Sequence, residues 1–265
     1  MTTPAGLVTL TTDFGDGSSY VAAMKGAILA VNSAVHIIDL CHNIPPQDLT
    51  ATAYFLAETV PFFPPRSIHA VVVDPAVGTE RALLCIRWNE QWLLAPDNGC
   101  WTSLERHSAA REIEVYRLSE SKYWAPAVSF TFHGRDILAP VAGHLSLGVA
   151  PDQLGRRVQE WVRLRLPEPE RTSREVRGEV IRVDRFGNLI TNITRGAIGD
   201  YHSVHVGGRN IPRWVQTYGG AEPGAVVALI GSCDLLEIAV VQGSAAERLG
   251  LGAGACVTVG QLEDS

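Results

Sequence analysis

Hydrophobic and polar positions in the first part of the chain form blocks whose period alternates between that of a strand and that of a helix. The strand-like blocks are residues 7–11, 35–40, 68–73, 83–88 and 92–94. The blocks with helical spacing are residues 20–31, 49–58 and 136–147. Such alternation is typical of βαβ units around a parallel sheet. We therefore expect residues 1–165 to form an α/β domain with a largely parallel sheet.

The pattern changes after residue 165. Residues 166–176 contain two prolines and several charges without apolar periodicity, which predicts an exposed linker. The short strand candidates beyond it are residues 178–183, 189–193, 203–206, 225–230, 235–241 and 255–259. Short strands separated by Gly and Asp are typical of small β-barrels and sandwiches. Residues 177–265 are therefore predicted to be a smaller, all-β, barrel-like domain.

Composition and charge narrow the class of protein. The 265 residues are 46% hydrophobic and 19% charged, which is typical of a globular chain. A formal charge of −6 argues against nucleic acid as a partner. No apolar run is long enough to span a bilayer, and the N-terminus lacks the pattern of a signal peptide. We expect a cytoplasmic protein with no membrane partner.

The cysteines and other potential ligands show no metal-binding spacing. Five scattered cysteines include no C-x-x-C pair, which predicts buried, reduced thiols. No cluster of His, Cys and Asp has the spacing of metal ligands, so no metal is expected.

Acidic residues follow three of the predicted strands. Functional groups gather at the carboxyl ends of strands in open α/β sheets, and Asp13, Asp39 and Asp74 take such positions. Asp74 is followed by Pro75 and, seven positions on, by Arg81, so one loop could present both charges to a pocket and poise a water. A loop acid with a surface arginine is the simpler alternative. His133, between aromatic residues and a predicted helix, would alone be interpreted as structural.

Six segments together resemble one family. They are Thr11-Thr-Asp-Phe-Gly15, Asp74-Pro-Ala-Val-Gly-Thr-Glu-Arg81, Pro96-Asp-Asn-Gly99, Phe132-His-Gly-Arg-Asp136, Asp184-Arg-Phe-Gly-Asn188 and Leu236-Glu-Ile-Ala-Val240. In order and over nearly the whole chain, they resemble the S-adenosyl-L-methionine hydroxide adenosyltransferases, relatives of the fluorinase and chlorinase. That resemblance implies hydrolysis of S-adenosyl-L-methionine to adenosine and methionine, with S-adenosyl-L-methionine as substrate and no cofactor.

The resemblance also assigns roles to residues. It implies that Asp74, Arg81 and His133 handle the attacking water. The residues it implies for substrate binding are Asp13 at the ribose hydroxyls, Asn188 at the adenine edge from the turn that begins at Asp184, and Ser232, Glu237 and the backbone near Val240 at the methionine or base end. It further implies an α/β domain, a β-barrel and a homotrimer that holds substrate between neighbouring subunits. Ordinary turn roles remain alternatives for Asp13, Asn188 and Ser232.

Three positions depart from the expected pattern. Gln47 lies where the halogenases carry a tryptophan, and Cys233 replaces an arginine that contacts the methionine carboxylate there. Val241 lies where hydrolase relatives often have Asn. The first two departures argue against a halogenase. Two alternatives to the hydrolase stay open: a halogenase-type displacement on the same substrate, and an adenosine-binding or S-adenosyl-L-methionine-binding module with little turnover.

Overall fold

The computed structural model describes residues 6–106, 113–199, 201 and 203–261, which fall into two compact units, Met1–Leu166 and Pro167–Ser265. The strands described in the first unit are β1 (Leu7–Thr12), β2 (His36–Cys41), β3 (Ile68–Val72), β4 (Leu83–Trp88), β5 (Gln91–Pro96), β6 (Ile113–Arg117) and β7 (Arg157–Val158). Its α-helices are α1 (Ser19–Val31), α2 (Leu49–Thr59), α3 (Thr102–Arg106) and α4 (Ala139–Ser146).

The first unit is built on a mixed sheet with the strand order β2-β1-β3-β5-β4-β6-β7. Neighbours among β2, β1, β3 and β5 are parallel, whereas the pairs from β5 through β4 and β6 to β7 are antiparallel. The prediction of a largely parallel sheet is therefore wrong for the second half. Only residues 89–90 separate β4 from β5, and so short a turn allows only antiparallel pairing because a parallel crossover needs a dozen residues or more.

Helices cover both faces of this sheet. Val72 packs in the core beneath α1 and α4, and its neighbour Val71 packs in the core beneath α2 and α3. Such double burial explains why β3 is apolar at every position but His69. The central strands of the sheet are thus buried on both faces, and the loops after them provide positions for polar side chains.

The second unit is an antiparallel, barrel-like sheet with the strand order β12-β11-β15-β9-β10-β14-β13. Its strands are β8 (Glu170–Arg171), β9 (Glu175–Val183), β10 (Leu189–Thr194), β11 (Ser203–Val206), β12 (Arg209–Ile211), β13 (Val226–Ile230), β14 (Leu235–Val240) and β15 (Cys256–Gly260). Its helices are α5 (Arg195–Ile198) and α6 (Ala245–Leu249). Ala228 of β13 donates to Arg213 O and accepts from Val215 N, so the chain leaving β12 nearly closes the barrel.

The predicted linker, residues 166–176, is partly strand. Glu170 and Arg171 form β8 and pair with Arg177 and Val176 of β9, across a turn in which Thr172 Oγ1 accepts from two backbone N–H groups. The segment is therefore ordered by a hairpin, which two prolines and a charge-rich composition did not indicate.

All five cysteines lie in the described part of the chain, and none is in a disulfide. Cys85 and Cys100 are buried as predicted, whereas Cys41 and Cys233 are partly exposed and Cys256 is exposed, so the prediction of buried thiols is wrong for these three. Within the described ranges, no helix combines the length and the hydropathy that crossing a membrane requires.

Candidate active site

Asp74, Arg81 and His133, here named the charged cluster, are in direct contact in the first unit. Arg81 Nε lies 2.8 and 2.7 Å from the two carboxylate oxygens of Asp74, and Arg81 Nη2 also donates to Asp74 Oδ2. The same Nη2 lies 3.0 Å from His133 Nδ1. Only 7% of each side chain of the Asp74–Arg81 pair is exposed. A guanidinium therefore lies between a carboxylate and an imidazole at a largely buried site.

Two glycines allow the loops that carry the charged cluster to meet. Gly78 lies after β3 with a φ of +83°, and a Cβ there would lie 2.6 Å from Phe130 O of the loop before His133. A Cβ on Gly134 would lie 2.9 Å from a methyl carbon of Val72 in β3. Gly134 opens a π-helical turn, Gly134–Leu138, which leads into α4. Such turns are frequent at functional sites, and this one places His133 beside the end of β3.

The contact with Arg81 sets the hydrogen-bonding role of His133. A guanidinium has donors and no acceptor, so His133 Nδ1 must accept, which it can do only as the neutral imidazole. Burial, followed by the neighbouring Arg81 charge, lowers the pKa of His133 below its ordinary value. The neutral ring then carries its hydrogen on Nε2.

Asp13 follows β1 at the same edge of the sheet. Its neighbour Phe14 packs against Phe132, the residue before His133, with ring centroids 5.6 Å apart. Gln47 N donates to Asp13 Oδ2 over 2.8 Å. Gln47 itself has a φ of +63°, a conformation that non-glycine residues seldom adopt. The structure thus brings the loop of Asp13 next to the loop of His133.

In the second unit, Asp184 and Asn188 close the turn between β9 and β10. Asp184 Oδ1 accepts from the backbone N–H groups of Phe186 and Asn188, and Asp184 Oδ2 accepts from Asn188 Nδ2 over 2.9 Å. Asn188 is 6% exposed. Asp184 therefore orients the Asn188 amide, with the Nδ2 side of the amide held by the carboxylate.

Tyr218, which our sequence analysis missed, lies beside Glu237 in the same unit. Its hydroxyl donates to Glu237 Oε2 over 2.5 Å. Burial, followed by the bond to Glu237 and the nearby acidic charges, raises the Tyr218 pKa above its ordinary value. Strand β10, which begins just after Asn188, pairs with β14, with Ile190 opposite Glu237. Asp184, Asn188, Tyr218 and Glu237 are therefore treated as one group, here named the turn cluster. Nothing in the periodicity near Tyr218 distinguishes it from a loop tyrosine.

Ser232 and Val240 border the turn cluster in different ways. Ser232 is exposed and follows Gly231. Gly231 lies against the Glu237 carboxyl, since a Cβ added to Gly231 would lie 1.7 Å from Glu237 Oε1. The Val240 side chain packs in the barrel core, and its carbonyl accepts from Gly243 N. A ligand could therefore contact Val240 through its backbone atoms but not through its side chain.

Comparisons with known proteins decide the family. The sequence model of the SAM hydroxide adenosyltransferase N-terminal domain matches residues 8–155, and that of the C-terminal domain matches residues 178–258. The chain belongs to the SAM hydroxide adenosyltransferase family. Over 247 residues it is 41% identical to the (R)-S-adenosyl-L-methionine hydrolase of Thermus thermophilus, with 90% of this chain and 93% of the relative covered.

One further enzyme and one solved structure are similar to this member of the SAM hydroxide adenosyltransferase family. A fluorinase of Actinoplanes sp. is 29% identical over 217 residues, covering 71% of this chain and 72% of the fluorinase. The crystal structure of an uncharacterised conserved protein from Thermotoga maritima superposes with a TM-score of 0.88 at 31% identity, covering 96% of this chain and all of that one. The hydrolase is the closer in sequence of the two enzymes.

Proposed function

We propose that this chain hydrolyses S-adenosyl-L-methionine to adenosine and L-methionine by in-line attack of an activated water on C5′. The observation that carries the proposal is the charged cluster, in which Arg81 bridges Asp74 and His133. Family membership and the identity of 41% to a Thermus thermophilus hydrolase support it. The arrangement combines a permanent positive charge with two groups that can bind a water, one of which can also accept its proton.

Hydrolysis of this substrate requires activation of the nucleophile but not of the leaving group. Its sulfonium already provides a neutral thioether as leaving group, whereas the pKa of bulk water lies far above neutral pH, so little hydroxide is available to attack. The Arg81 guanidinium supplies a fixed positive charge that stabilises hydroxide character on the oxygen. We propose that this is done without a metal or a cofactor. Among the residues that the structure describes, no group of three or more His, Cys, Asp or Glu side chains could hold a metal ion.

The hydrogen bonds of the charged cluster support different roles for Asp74 and His133. His133 Nδ1 is occupied by Arg81, so the neutral ring has a donor N–H at Nε2 and can orient the water without taking its proton there. We assign the proton to Asp74, whose carboxylate oxygens keep further lone pairs. The C5′–O bond forms as the C5′–S bond breaks, and the electron pair of that bond goes to sulfur. One water proton goes to Asp74, and the other stays on the new 5′-hydroxyl.

Substrate recognition is proposed for the remaining site residues. One carboxylate can accept from two vicinal hydroxyls, so Asp13 is assigned to the ribose. The amide of Asn188, oriented by Asp184, carries the donor and acceptor that an adenine edge needs. Ser232, Glu237 and the backbone at Val240 are assigned to the methionine or base end. We also propose a homotrimer with substrate held between neighbouring subunits, which sedimentation analysis tests.

Incubation with S-adenosyl-L-methionine in ¹⁸O-water tests the reaction. We expect one ¹⁸O atom in the 5′-hydroxyl of adenosine and none in methionine, since the oxygen comes from water and attacks carbon. Adenosine without the label, or binding of substrate with no methionine released over hours, would contradict the proposal. The second outcome would indicate a binding module.

A second experiment adds chloride to the reaction, because a fluorinase is among the relatives. A halogenase should form 5′-chloro-5′-deoxyadenosine in chloride-rich buffer. We expect only adenosine, since a cluster that donates and accepts protons fits water better than a desolvated halide. Formation of the chlorinated nucleoside in place of adenosine would favour the halogenase.

A further inference from the structure

A chain of polar side chains outside the charged cluster runs beneath the loop that carries Asp13. Lys25 Nζ lies 2.6 Å from Asp39 Oδ2, and Asp39 Oδ1 lies 3.0 Å from His42 Nε2. His42 Nδ1 lies 2.9 Å from Thr12 Oγ1. Thr12 is fully buried and His42 is 7% exposed, whereas Asp39 and Lys25 lie nearer the surface. The chain therefore leads from the surface to the residue before Asp13.

The order of acid, imidazole and hydroxyl is that of a nucleophilic triad, but its geometry excludes that role. Thr12 has no exposed surface, so no substrate carbon can approach its hydroxyl. Its oxygen also accepts from Phe14 N over 3.3 Å. These groups are placed to hold the loop.

The segment that contains His42 is joined to the Asp13 loop at successive positions. Gly15 N donates to His42 O over 2.7 Å, and Asp16 N donates to Asn43 Oδ1 over 3.3 Å. Further along, Gln47 N donates to Asp13 Oδ2 over 2.8 Å. The loops after β1 and β2 are thus tied together on both sides of Asp13.

We infer that His42 is a positioning residue, which through Thr12 holds the Asp13 carboxylate in the orientation that receives the ribose hydroxyls. The inference rests on the proposed function because that function assigns the ribose to Asp13. His42 touches no substrate in this role. Its side chain acts on Thr12, and its backbone contact to Gly15 is independent of the side chain, so substitution of the imidazole isolates the positioning effect.

The same sheet provides a matched control. His69 of β3 is also buried, and its Nδ1 lies 2.7 Å from Thr9 Oγ1 while its Nε2 lies 2.9 Å from Gln91 Oε1. Both pairs join a histidine to a threonine of β1, but Thr9 lies in the body of the strand and Thr12 at its end. His69→Ala and Thr9→Val remove an equivalent contact that does not reach Asp13.

The test compares equilibrium binding of adenosine and 2′-deoxyadenosine by calorimetry in the full-length protein. The wild type should prefer adenosine by about tenfold, the size expected when a carboxylate loses one hydroxyl donor. His42→Ala should reduce this preference to less than about threefold, mainly by weakening adenosine binding. His69→Ala should lower the melting temperature and keep the preference.

Isosteric variants keep the inference testable if an alanine variant fails to fold. Thr12→Val should reduce the preference as His42→Ala does, and Thr9→Val should not. An unchanged preference in His42→Ala or Thr12→Val, an equal loss in the His69 and Thr9 variants, or no preference in the wild type would overturn the inference. Nucleoside binding needs no turnover, so absence of hydrolysis would contradict the proposed function and leave this result intact.

Discussion

The charged cluster of the first unit and the turn cluster of the second use acids in different ways. Asp74 is paired through two oxygens with a guanidinium that also contacts an imidazole. In the turn cluster, Asp184 accepts from backbone N–H groups and an amide, and Glu237 accepts from a phenol. A fixed cation suits a reaction in which charge develops, whereas neutral donors suit recognition of a neutral base. We therefore expect substitutions in the charged cluster to lower kcat and substitutions in the turn cluster to raise KM.

The largest effect is expected from Arg81→Ala. Loss of the donor to Asp74 and His133 should lower kcat by about a hundredfold, as removal of a charge-stabilising donor does in other enzymes. Arg163→Ala is the matched control because Arg163 makes a similar fork with Glu105 at the surface. Steady-state rates of adenosine release measure both. A wild-type kcat in Arg81→Ala would remove the charged cluster from the mechanism.

A smaller effect is expected from Asn188→Ala in the turn cluster. Loss of the amide should raise KM by about tenfold with kcat nearly unchanged, since a hydrogen bond to substrate is lost in ground and transition states alike. Asn192→Ala, which removes bonds to Glu179 N and Pro167 O, is the control for general damage to β10. A fall in kcat at constant KM in Asn188→Ala would contradict the expected difference between the two clusters.

Tyr218→Phe sharpens the assignment of Glu237. Without its hydroxyl donor, Glu237 keeps its place against Gly231 but loses one hydrogen bond. We expect KM to rise about threefold, the effect of one modest hydrogen bond. Kinetics with S-adenosyl-L-methionine give the result, and a larger change in kcat than in KM would place Tyr218 with the chemistry instead.

The smallest effect concerns pH and the charged cluster. Protonation of His133 would place a second cation beside Arg81 and remove the Nδ1 acceptor, and burial and that charge lower its pKa. The neutral form therefore persists as the pH falls through about 6.5, where an ordinary histidine is half protonated. We expect kcat/KM to stay nearly constant between pH 7.5 and 6.5, whereas an ordinary histidine pKa would nearly halve the neutral form over that range. A fall to about one half would contradict the lowered pKa.

The titration of His133 can also be followed without turnover. Nuclear magnetic resonance of the ring in Arg81→Ala should show a higher pKa than in the wild type, because the repelling charge is gone. A pKa that is unchanged or lower in the variant would show that Arg81 does not control His133.

Periodicity predicted the longer helices and strands but missed several of the shortest. Residues 20–31 and 49–58 became α1 and α2, whose polar caps Ser18 and Asp48 support their starts. By contrast, the pattern did not indicate α3, β7 or β12, which have five, two and three residues. Elements this short have too few positions to show a period, and their neighbours in space determine them.

The resemblance to a family identified site residues that could not be identified from periodicity alone. Asp74 and Arg81 are seven positions apart, and their pairing was foreseeable as a loop that folds back. The contact between Arg81 and His133 spans 52 positions, and it depends on Gly78 and Gly134 admitting two loops to the end of β3. Tyr218 and His42 carried no signal because single polar residues in loops are common.

By itself, the sequence determined the succession of an α/β part and a β-rich part, and the acids that follow β1 and β3, because these depend on local periodicity and on strand ends. Only the tertiary structure decided that β6 and β7 extend the first sheet in antiparallel order, that His133 accepts a hydrogen bond from Arg81, and that Thr12 is joined to His42. The two side-chain contacts join residues 52 and 30 positions apart. Their existence follows from how the core packs, which no local pattern records.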